Sequence, residues 1–208
     1  CGDNKIDLAR VTRSLETLPP CEESRNWNEV PLYHLIDFLA GNHREFRTRY
    51  IPNITRMLEA LKSEFGAESG PIEDIISEFN GFRNDFSWHM QEEEDFVFPK
   101  ILRTEACLHH PEMYSEVFKG SVAMYPKSNV RAQEEAFSLI IGELTEKLKG
   151  MIFDLQQLPM VKDILTALQN HDAGLKAHAF LETDILFPRA VEIEKKLLLR
   201  AQAQLAIP

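Results

Sequence analysis

The stretch HMQEEEDFVFPK at residues 89–100 recurs as HAFLETDILFPR at residues 178–189. Both copies follow the pattern His-x-x-x-Glu-x-Asp-x-x-Phe-Pro, with Lys or Arg in the last place. A His and a Glu four residues apart lie on one face of an α-helix and can reach a common point. Two such helices that face each other can therefore hold a pair of metal ions between them.

The sequence around these repeats predicts four amphipathic helices. Apolar residues recur at steps of three and four along four segments, and no strand-like alternation of useful length interrupts them. The stripes are Leu32, Ile36, Leu39, Phe46, Tyr50, Met57 and Leu61; Ile75, Phe79, Phe82, Phe86, Phe96 and Ile101; Val130, Phe137, Ile141, Leu144, Leu148, Met151 and Leu155; and Val161, Ile164, Leu168, Leu175 and Ile185. Short links on two of the three sides favour an all-α fold, an antiparallel four-helix bundle over residues 31–208.

Residues 1–30 differ in composition from the rest of the chain. Pro19-Pro20 and the polar stretch CEESRNWNE predict a short helical segment followed by a linker. The chain starts at Cys1 without a methionine, which indicates a trimmed chain or a processed precursor. A lipid-modified Cys1 left by signal-peptide cleavage is the alternative.

Six ionisable residues fall on the apolar seams of the four helices. They are His43, His89, Glu93, Glu134, His178 and Glu182. His43 and His89 lie equally far along the chain from Gly66, the centre of the first link. Because the rise per residue is constant, antiparallel neighbours at equal distance from a shared link lie at equal height. The same counting from the link near residue 157 places Glu134 and His178 at the height of these two histidines. Glu93 and Glu182 then lie about one turn away.

Ionisable groups in a packed core cost several kcal/mol each when they are left unpaired. Metal coordination offsets that cost, and imidazole with carboxylate suits iron, manganese or zinc. Carboxylates that bridge two cations are known from di-iron bundles. Six side chains exceed the needs of one ion, so we expect two. The alternative is a metal-free polar network that fixes the register of the helices.

Composition restricts the classes of protein and partner. The 208 residues are 44% hydrophobic and 27% charged, which is ordinary for a soluble globular protein. The net charge of −10 argues against a nucleic-acid partner and against attraction to anionic lipid. No apolar run approaches ~18 residues, so we expect no membrane span. Cys1, Cys21 and Cys107 lie too far apart in sequence to indicate a disulfide framework; a reducing, cytoplasmic location is expected.

These residues resemble the hemerythrin-like superfamily, in which four helices enclose a non-haem di-iron centre. The sequence from Trp27 through Leu35-Ile36-Asp37 to His43, with both His-x-x-x-Glu-x-x-x-x-Phe-Pro blocks, is most similar to the family called repair of iron centres. Its members are cytoplasmic proteins linked to restoring iron–sulfur clusters after nitrosative or oxidative damage. The resemblance covers about residues 27–195. That family has an amino-terminal module with a Cys-Cys-Gly-Gly-like element, and Cys1-Gly2 is similar to a remnant of it.

The resemblance implies a centre of two iron ions and a role for each seam residue. It makes terminal iron ligands of His43, His89 and His178 and bridging carboxylates of Glu93 and Glu182. The family has a further histidine on the third helix, where this chain has Glu134, with Gln133 and Glu135 as alternatives if the register differs by one. A carboxylate there makes the site more anionic, favours the ferric state and counts against reversible oxygen carriage. An incomplete site with one metal is the other outcome.

Three functions remain open at this point. The first is iron–sulfur cluster repair in a nitrosative or oxidative stress response, with damaged iron–sulfur proteins as partners. The second is binding or sensing of oxygen or nitric oxide, for which Phe86, Phe96 and Phe137 would supply an apolar pocket. The third is a di-iron oxidase, peroxidase or ferroxidase acting on oxygen or peroxide, which a carboxylate-rich site suits. The sequence leaves open whether the protein is an enzyme and whether it forms a homodimer.

Side chains near the six residues carry predictions of their own. His171 lies two turns before His178, and we interpret it as a core histidine with satisfied hydrogen bonds; the alternative is a second-layer hydrogen-bonding or channel role. Asp95 and Asp184 either accept hydrogen bonds from the ligand layer or face solvent. The Phe-Pro pair after each repeat is expected to kink or end the regular helix, because proline removes a backbone donor.

Overall fold

The structure is a computed structural model that describes residues 26–66, 70–110, 127–151 and 157–205. The chain divides into two compact units, Cys1–Val30 and Pro31–Pro208. In the first unit the described residues, 26–30, form turns in which the N–H of Glu29 donates to the carbonyl of Asn26 at 3.0 Å. The helical segment predicted near the amino terminus lies outside the described residues.

Four helical rods make up the described part of the second unit. Rod 1 contains α1 (Leu32–Glu45), a π-helical turn (Phe46–Tyr50) and α2 (Ile51–Phe65); rod 2 contains α3 (Gly70–Glu92), a π-helical turn (Glu93–Val97) and α4 (Phe98–Ala106); rod 3 is α5 (Lys127–Gly150); and rod 4 contains α6 (Leu158–Phe180), a π-helical turn (Leu181–Leu186) and α7 (Phe187–Leu205). No strand occurs in these residues. The predicted all-α class and four-helix bundle are confirmed.

Local chemistry fixes both ends of rod 1, which ends at Gly66. Gly66 has a φ of 56°, a left-handed conformation that glycine adopts without steric cost, and it terminates α2. At the other end of rod 1, α1 has no capping side chain of its own. Instead, Oε1 of Glu105, on α4, accepts a hydrogen bond from the N–H of Leu32 at 2.9 Å. A carboxylate from rod 2 thus caps the amino terminus of rod 1.

The hydrophobic core extends from the Gly66 link towards the middle of the bundle. Its largest members are phenylalanines, and three of them lie on α3: Phe79, Phe82 and Phe86, each at most 2% exposed. Full burial of a side chain of this size contributes about 1.5–3 kcal/mol to the free energy of unfolding, so each of these phenylalanines stabilises the bundle substantially. None of the helices in the described residues is both long enough and apolar enough to cross a bilayer.

Three rods carry a π-helical turn that ends two residues before a proline, at Pro52, Pro99 and Pro188. Proline has no N–H for the carbonyl four residues earlier, and its ring clashes with that carbonyl. A wider turn avoids both problems, because the residue before proline donates to the carbonyl five residues earlier. In both repeats this bond is present: the N–H of Phe98 donates to Glu93, and that of Phe187 to Glu182. The regular helix is interrupted as predicted, but each rod continues beyond its proline.

The π-helical turn in rod 2 corrects one prediction about the core. An α-helical register places Phe96 on the buried seam, yet its side chain is 64% exposed. The extra residue in the turn rotates the following positions around the helix, so that Val97 and Phe98 are buried instead, each 3% exposed. Phe96 is therefore not a wall of an internal apolar pocket.

Candidate metal centre

The structure brings all six predicted side chains together in the middle of the bundle. Their ligand atoms form two groups, within each of which the atoms lie within 4.8 Å of one another. The first group contains His43, Glu93, His178 and Glu182, and the second contains His89, Glu134 and Glu182. Glu182 belongs to both groups. The six residues predicted from the sequence therefore lie close together in the structure.

The first group is built from two imidazoles that face each other. Nε2 of His43 lies 3.1 Å from Nε2 of His178. Carboxylate oxygens lie beside them, with Glu93 Oε2 at 3.4 Å from His43 and Glu182 Oε1 at 3.2 Å from His178. His43 and Glu182 are fully buried, and His178 is 3% exposed. Four potential ligand atoms thus converge on one point that solvent does not reach.

The second group has a single imidazole. Nε2 of His89 lies 3.4 Å from Oε1 of Glu93, so the two oxygens of Glu93 face two different histidines, His89 and His43. Glu134, from rod 3, completes the group and is half-buried. Its neighbours Gln133 and Glu135 are exposed, so the structure places Glu134 and neither alternative in the cluster.

Buried polar atoms in this cluster lack hydrogen-bond partners among the described residues. They are both carboxylate oxygens of Glu93, both of Glu182, Oε2 of Glu134, Nε2 of His89 and Nδ1 of His178. Folded proteins satisfy nearly all buried polar groups, because an unpaired one costs the full desolvation penalty. Divalent cations would satisfy the carboxylate oxygens and Nε2 of His89 together, and the mixture of imidazole and carboxylate suits iron, manganese or zinc. The residues present therefore fit a metal centre.

Burial and mutual repulsion shift the pKa values in the cluster. Burial and the Glu182 charge raise the pKa of Glu134 to about 9, and the same causes raise the pKa of Glu93 well above its usual value. Burial also opposes ionisation of Glu182, but the histidines around it, His178 first, bring its pKa below the usual value. Burial and nearby His178 lower the pKa of His43 to about 4. His43 is therefore neutral at pH 7 and keeps a lone pair for a metal.

His43 is held by two residues whose role the sequence did not reveal. Its Nδ1 lies 2.9 Å from Oε1 of Glu94, and both oxygens of Glu94 accept hydrogen bonds from Arg47, at 2.7 and 3.2 Å. A carboxylate only accepts, so the proton of the imidazole sits on Nδ1 and the lone pair of Nε2 points into the cluster. Burial opposes ionisation of Glu94, but hydrogen bonds from Arg47 and His43 bring its pKa below the usual value.

The repeated aspartates take no part in the cluster. Asp95 is exposed and accepts a hydrogen bond from Nε2 of Gln91 at 2.8 Å. Asp184 is exposed and pairs with Arg131 at 3.1 Å. Of the two alternatives predicted for these residues, the structure supports the solvent-facing one.

His171 differs from its prediction. It is fully buried, but neither ring nitrogen has a hydrogen-bond partner among the described residues, so the interpretation as a satisfied core histidine is wrong for that part of the chain. Aromatic rings surround it: Tyr50 is stacked at 5.9 Å, and Phe46, Phe82 and Phe86 meet it edge-on at 5.3–5.9 Å. Burial lowers its pKa to about 4.

Comparison with known proteins covers the same region of the chain. The family model described as Hemerythrin HHE cation binding domain matches residues 34–190, a span that includes all six clustered side chains. The iron-sulfur cluster repair protein YtfE of Yersinia pseudotuberculosis serotype IB (strain PB1/+) is 23% identical over 185 residues, which cover 87% of this chain and 75% of that protein. The protein of the same name from Yersinia pestis (strain Pestoides F) is 22% identical over 181 residues, with the same coverage.

Proposed function

Because the chain belongs to the hemerythrin HHE cation-binding domain family, we propose that its six clustered side chains hold two iron ions in a non-haem di-iron centre. In this proposal the terminal ligands are His43 and His178 at one ion and His89 and Glu134 at the other, with Glu93 and Glu182 bridging. The position of the two glutamates carries the proposal. Glu182 belongs to both groups of ligand atoms, and the oxygens of Glu93 face histidines of both groups.

Bound iron would supply redox chemistry and exchangeable metal at this point in the bundle. The chain itself orients the ligands and excludes water. The ring of Phe98 stacks on His43 at 5.6 Å, and the ring of Phe137 lies 5.5 Å from His89. Glu94 fixes the proton of His43 on Nδ1, away from the cluster. These contacts keep the imidazoles in the geometry that a metal requires before any metal binds.

We further propose that the protein acts in iron–sulfur cluster repair during nitrosative or oxidative stress, with damaged iron–sulfur proteins as its partners. The name that both relatives carry supports this role, and so does a centre whose ligands converge from all four rods. The cytoplasmic location and the homodimer stay predictions.

The repair role is tested by adding the iron-loaded protein to an iron–sulfur enzyme that nitric oxide has inactivated. We expect recovery of activity above that given by an equal amount of free ferrous iron. His178→Ala removes a ligand and should abolish the recovery, whereas Gln133→Ala changes an exposed neighbour of the cluster and should not. Equal recovery with free iron and with the loaded protein would refute the role.

Glu134 favours a second candidate, a di-iron oxidase, peroxidase or ferroxidase. It brings a third carboxylate to the cluster, and carboxylate-rich sites tolerate the ferric state. Steady consumption of peroxide, or steady oxidation of added ferrous iron, that is lost in Glu134→Gln would support this candidate. Binding or sensing of oxygen or nitric oxide has less support, because Phe96 does not line the interior.

A further inference from the structure

We propose that the two metal positions are inequivalent: the position between His43 and His178 fills first and retains its ion, whereas the position between His89 and Glu134 fills last and releases its ion first. This inference rests on the proposed di-iron centre and assigns the exchangeable iron to one side of it. Three independent features of the cluster carry it.

The first feature is the chemistry of the ligands. The two positions share their bridging carboxylates, so their terminal ligands make the difference. One position has two imidazoles, and the other has one imidazole and the carboxylate of Glu134. Imidazole suits iron better than carboxylate does, while carboxylate suits harder ions such as manganese. Ferrous iron should therefore prefer the side of His43 and His178.

The second feature is the support behind the ligands. His43 is fixed by Glu94, which Arg47 holds through two hydrogen bonds. The residue that corresponds to Glu94 in the second repeat is Thr183, and it gives Glu134 no such support. The hydroxyl of Thr183 lies 2.9 Å from the carbonyl of Ala179 and 3.0 Å from Asp184, both on its own rod. Glu94 therefore fixes one imidazole of the first position, whereas Thr183 supports no ligand of the second. Nδ1 of His178 has no hydrogen-bond partner among the described residues, so the support at the first position acts through His43.

The third feature is access to solvent. His43 and His178 are at most 3% exposed. At the other position His89 is also buried, at 5% exposed, but Glu134 is half-buried between exposed neighbours on rod 3. Arg131, three residues before Glu134 on the same helix, pairs with Asp184, and both members of the pair are exposed, so the pair contributes little to holding that side closed. A chelator or an acceptor protein would reach the ion at this side first.

The experiment starts from the fully loaded protein and withdraws iron with a competing chelator under anaerobic conditions. We expect two phases, with one ion released quickly and the second slowly. In Glu134→His the added imidazole should slow the fast phase towards the slow one. In Glu94→Ala the slow phase should accelerate, because loss of a group that orients a ligand typically lowers metal affinity about 10–100-fold. Glu135→Ala, an exposed neighbour of Glu134, should behave as the wild type.

Metal content per chain separates failure of this inference from failure of the di-iron centre. Fewer than two ions per chain in saturating iron would overturn the centre and this inference with it. Two ions that leave in a single phase would overturn the inequivalence alone. His89→Ala should retain one ion, and that ion should be released slowly. If the retained ion is released quickly, the inequivalence is also overturned. Circular dichroism of each variant before chelation verifies that it is folded.

Discussion

Replacement of His171 by leucine should remove one defined contribution to the acid sensitivity of this fold. His171 is fully buried among the rings of Phe46, Tyr50, Phe82 and Phe86, and its nitrogens have no hydrogen-bond partner among the described residues. Burial lowers its pKa to about 4, although the charge of neighbouring Asp172 acts in the opposite direction. In the unfolded chain the same imidazole regains the ordinary pKa of about 6.5.

The two pKa values set both the sign and the size of the effect. Because the folded pKa is the lower one, the unfolded state binds more protons between pH 6.5 and pH 4, and stability falls as the pH falls through that range. Each pKa unit corresponds to about 1.4 kcal/mol. His171 should therefore cost the wild type about 2 kcal/mol between pH 7 and pH 4.5. Leucine has a similar volume and does not titrate, so it cannot produce this loss.

Urea unfolding of both proteins at several pH values, in the same chelator, measures the effect. Other buried groups titrate in this range, but they are present in both proteins and cancel in the difference between the two free energies of unfolding. That difference should move in favour of His171→Leu by about 2 kcal/mol as the pH falls from 7 to 4.5. At pH 7 leucine should be tolerated, since it removes two unpaired buried nitrogens. A pH-independent difference would show that His171 is paired or solvated in the folded protein.

Three further changes have defined outcomes. Glu105→Ala should lower the free energy of unfolding by about 1 kcal/mol, because it removes the carboxylate that accepts a hydrogen bond from the N–H of Leu32. In the same urea assay, Glu105→Gln should recover most of that loss. Pro99→Ala restores a backbone donor, so we expect the π-helical turn to relax towards an α-helix and Glu93 to shift. The affinity for iron should then fall in a calorimetric titration, and an unchanged affinity would contradict this reasoning. Removal of metal by a chelator should lower the melting temperature in scanning calorimetry, since the carboxylates then lose their counter-charge.

The sequence predicts the bundle and the six clustered residues because both follow from the regular spacing of residues along a helix. The spacing of apolar residues locates one face of each helix, and constant rise converts equal chain distances into equal heights. Those two rules place His43 beside His178 although 135 residues separate them. They do not place Phe96, because a π-helical turn adds a residue that the hydrophobic pattern does not reveal.

Glu94 and Arg47 show a different limit of the sequence. Glu94 lies 51 positions from His43, in a run of three glutamates that a helical projection does not distinguish by role. Glu94 lies within the π-helical turn Glu93–Val97, and its carboxylate meets His43 through a contact between rods that a helical projection does not contain. His171 marks the same limit, since its spacing indicates burial but not whether its nitrogens are paired.

The two repeats explain why part of the centre can be recognised in the sequence and part cannot. Within each repeat, a phenylalanine donates its N–H to the carbonyl of the glutamate that we propose as a bridge, five residues earlier: Phe98 to Glu93 and Phe187 to Glu182. The backbone thus positions both of these carboxylates by one local device encoded in twelve residues. On rod 1 the same bond runs from Ile51 to Phe46, which is not a member of the cluster. Outside the repeats the chain offers His43 and Glu134, so a single substitution there can change the metal preference of the proposed centre while the two glutamates stay in place. The features that identify the centre are therefore local and repeated, whereas those that set its chemistry depend on contacts between rods.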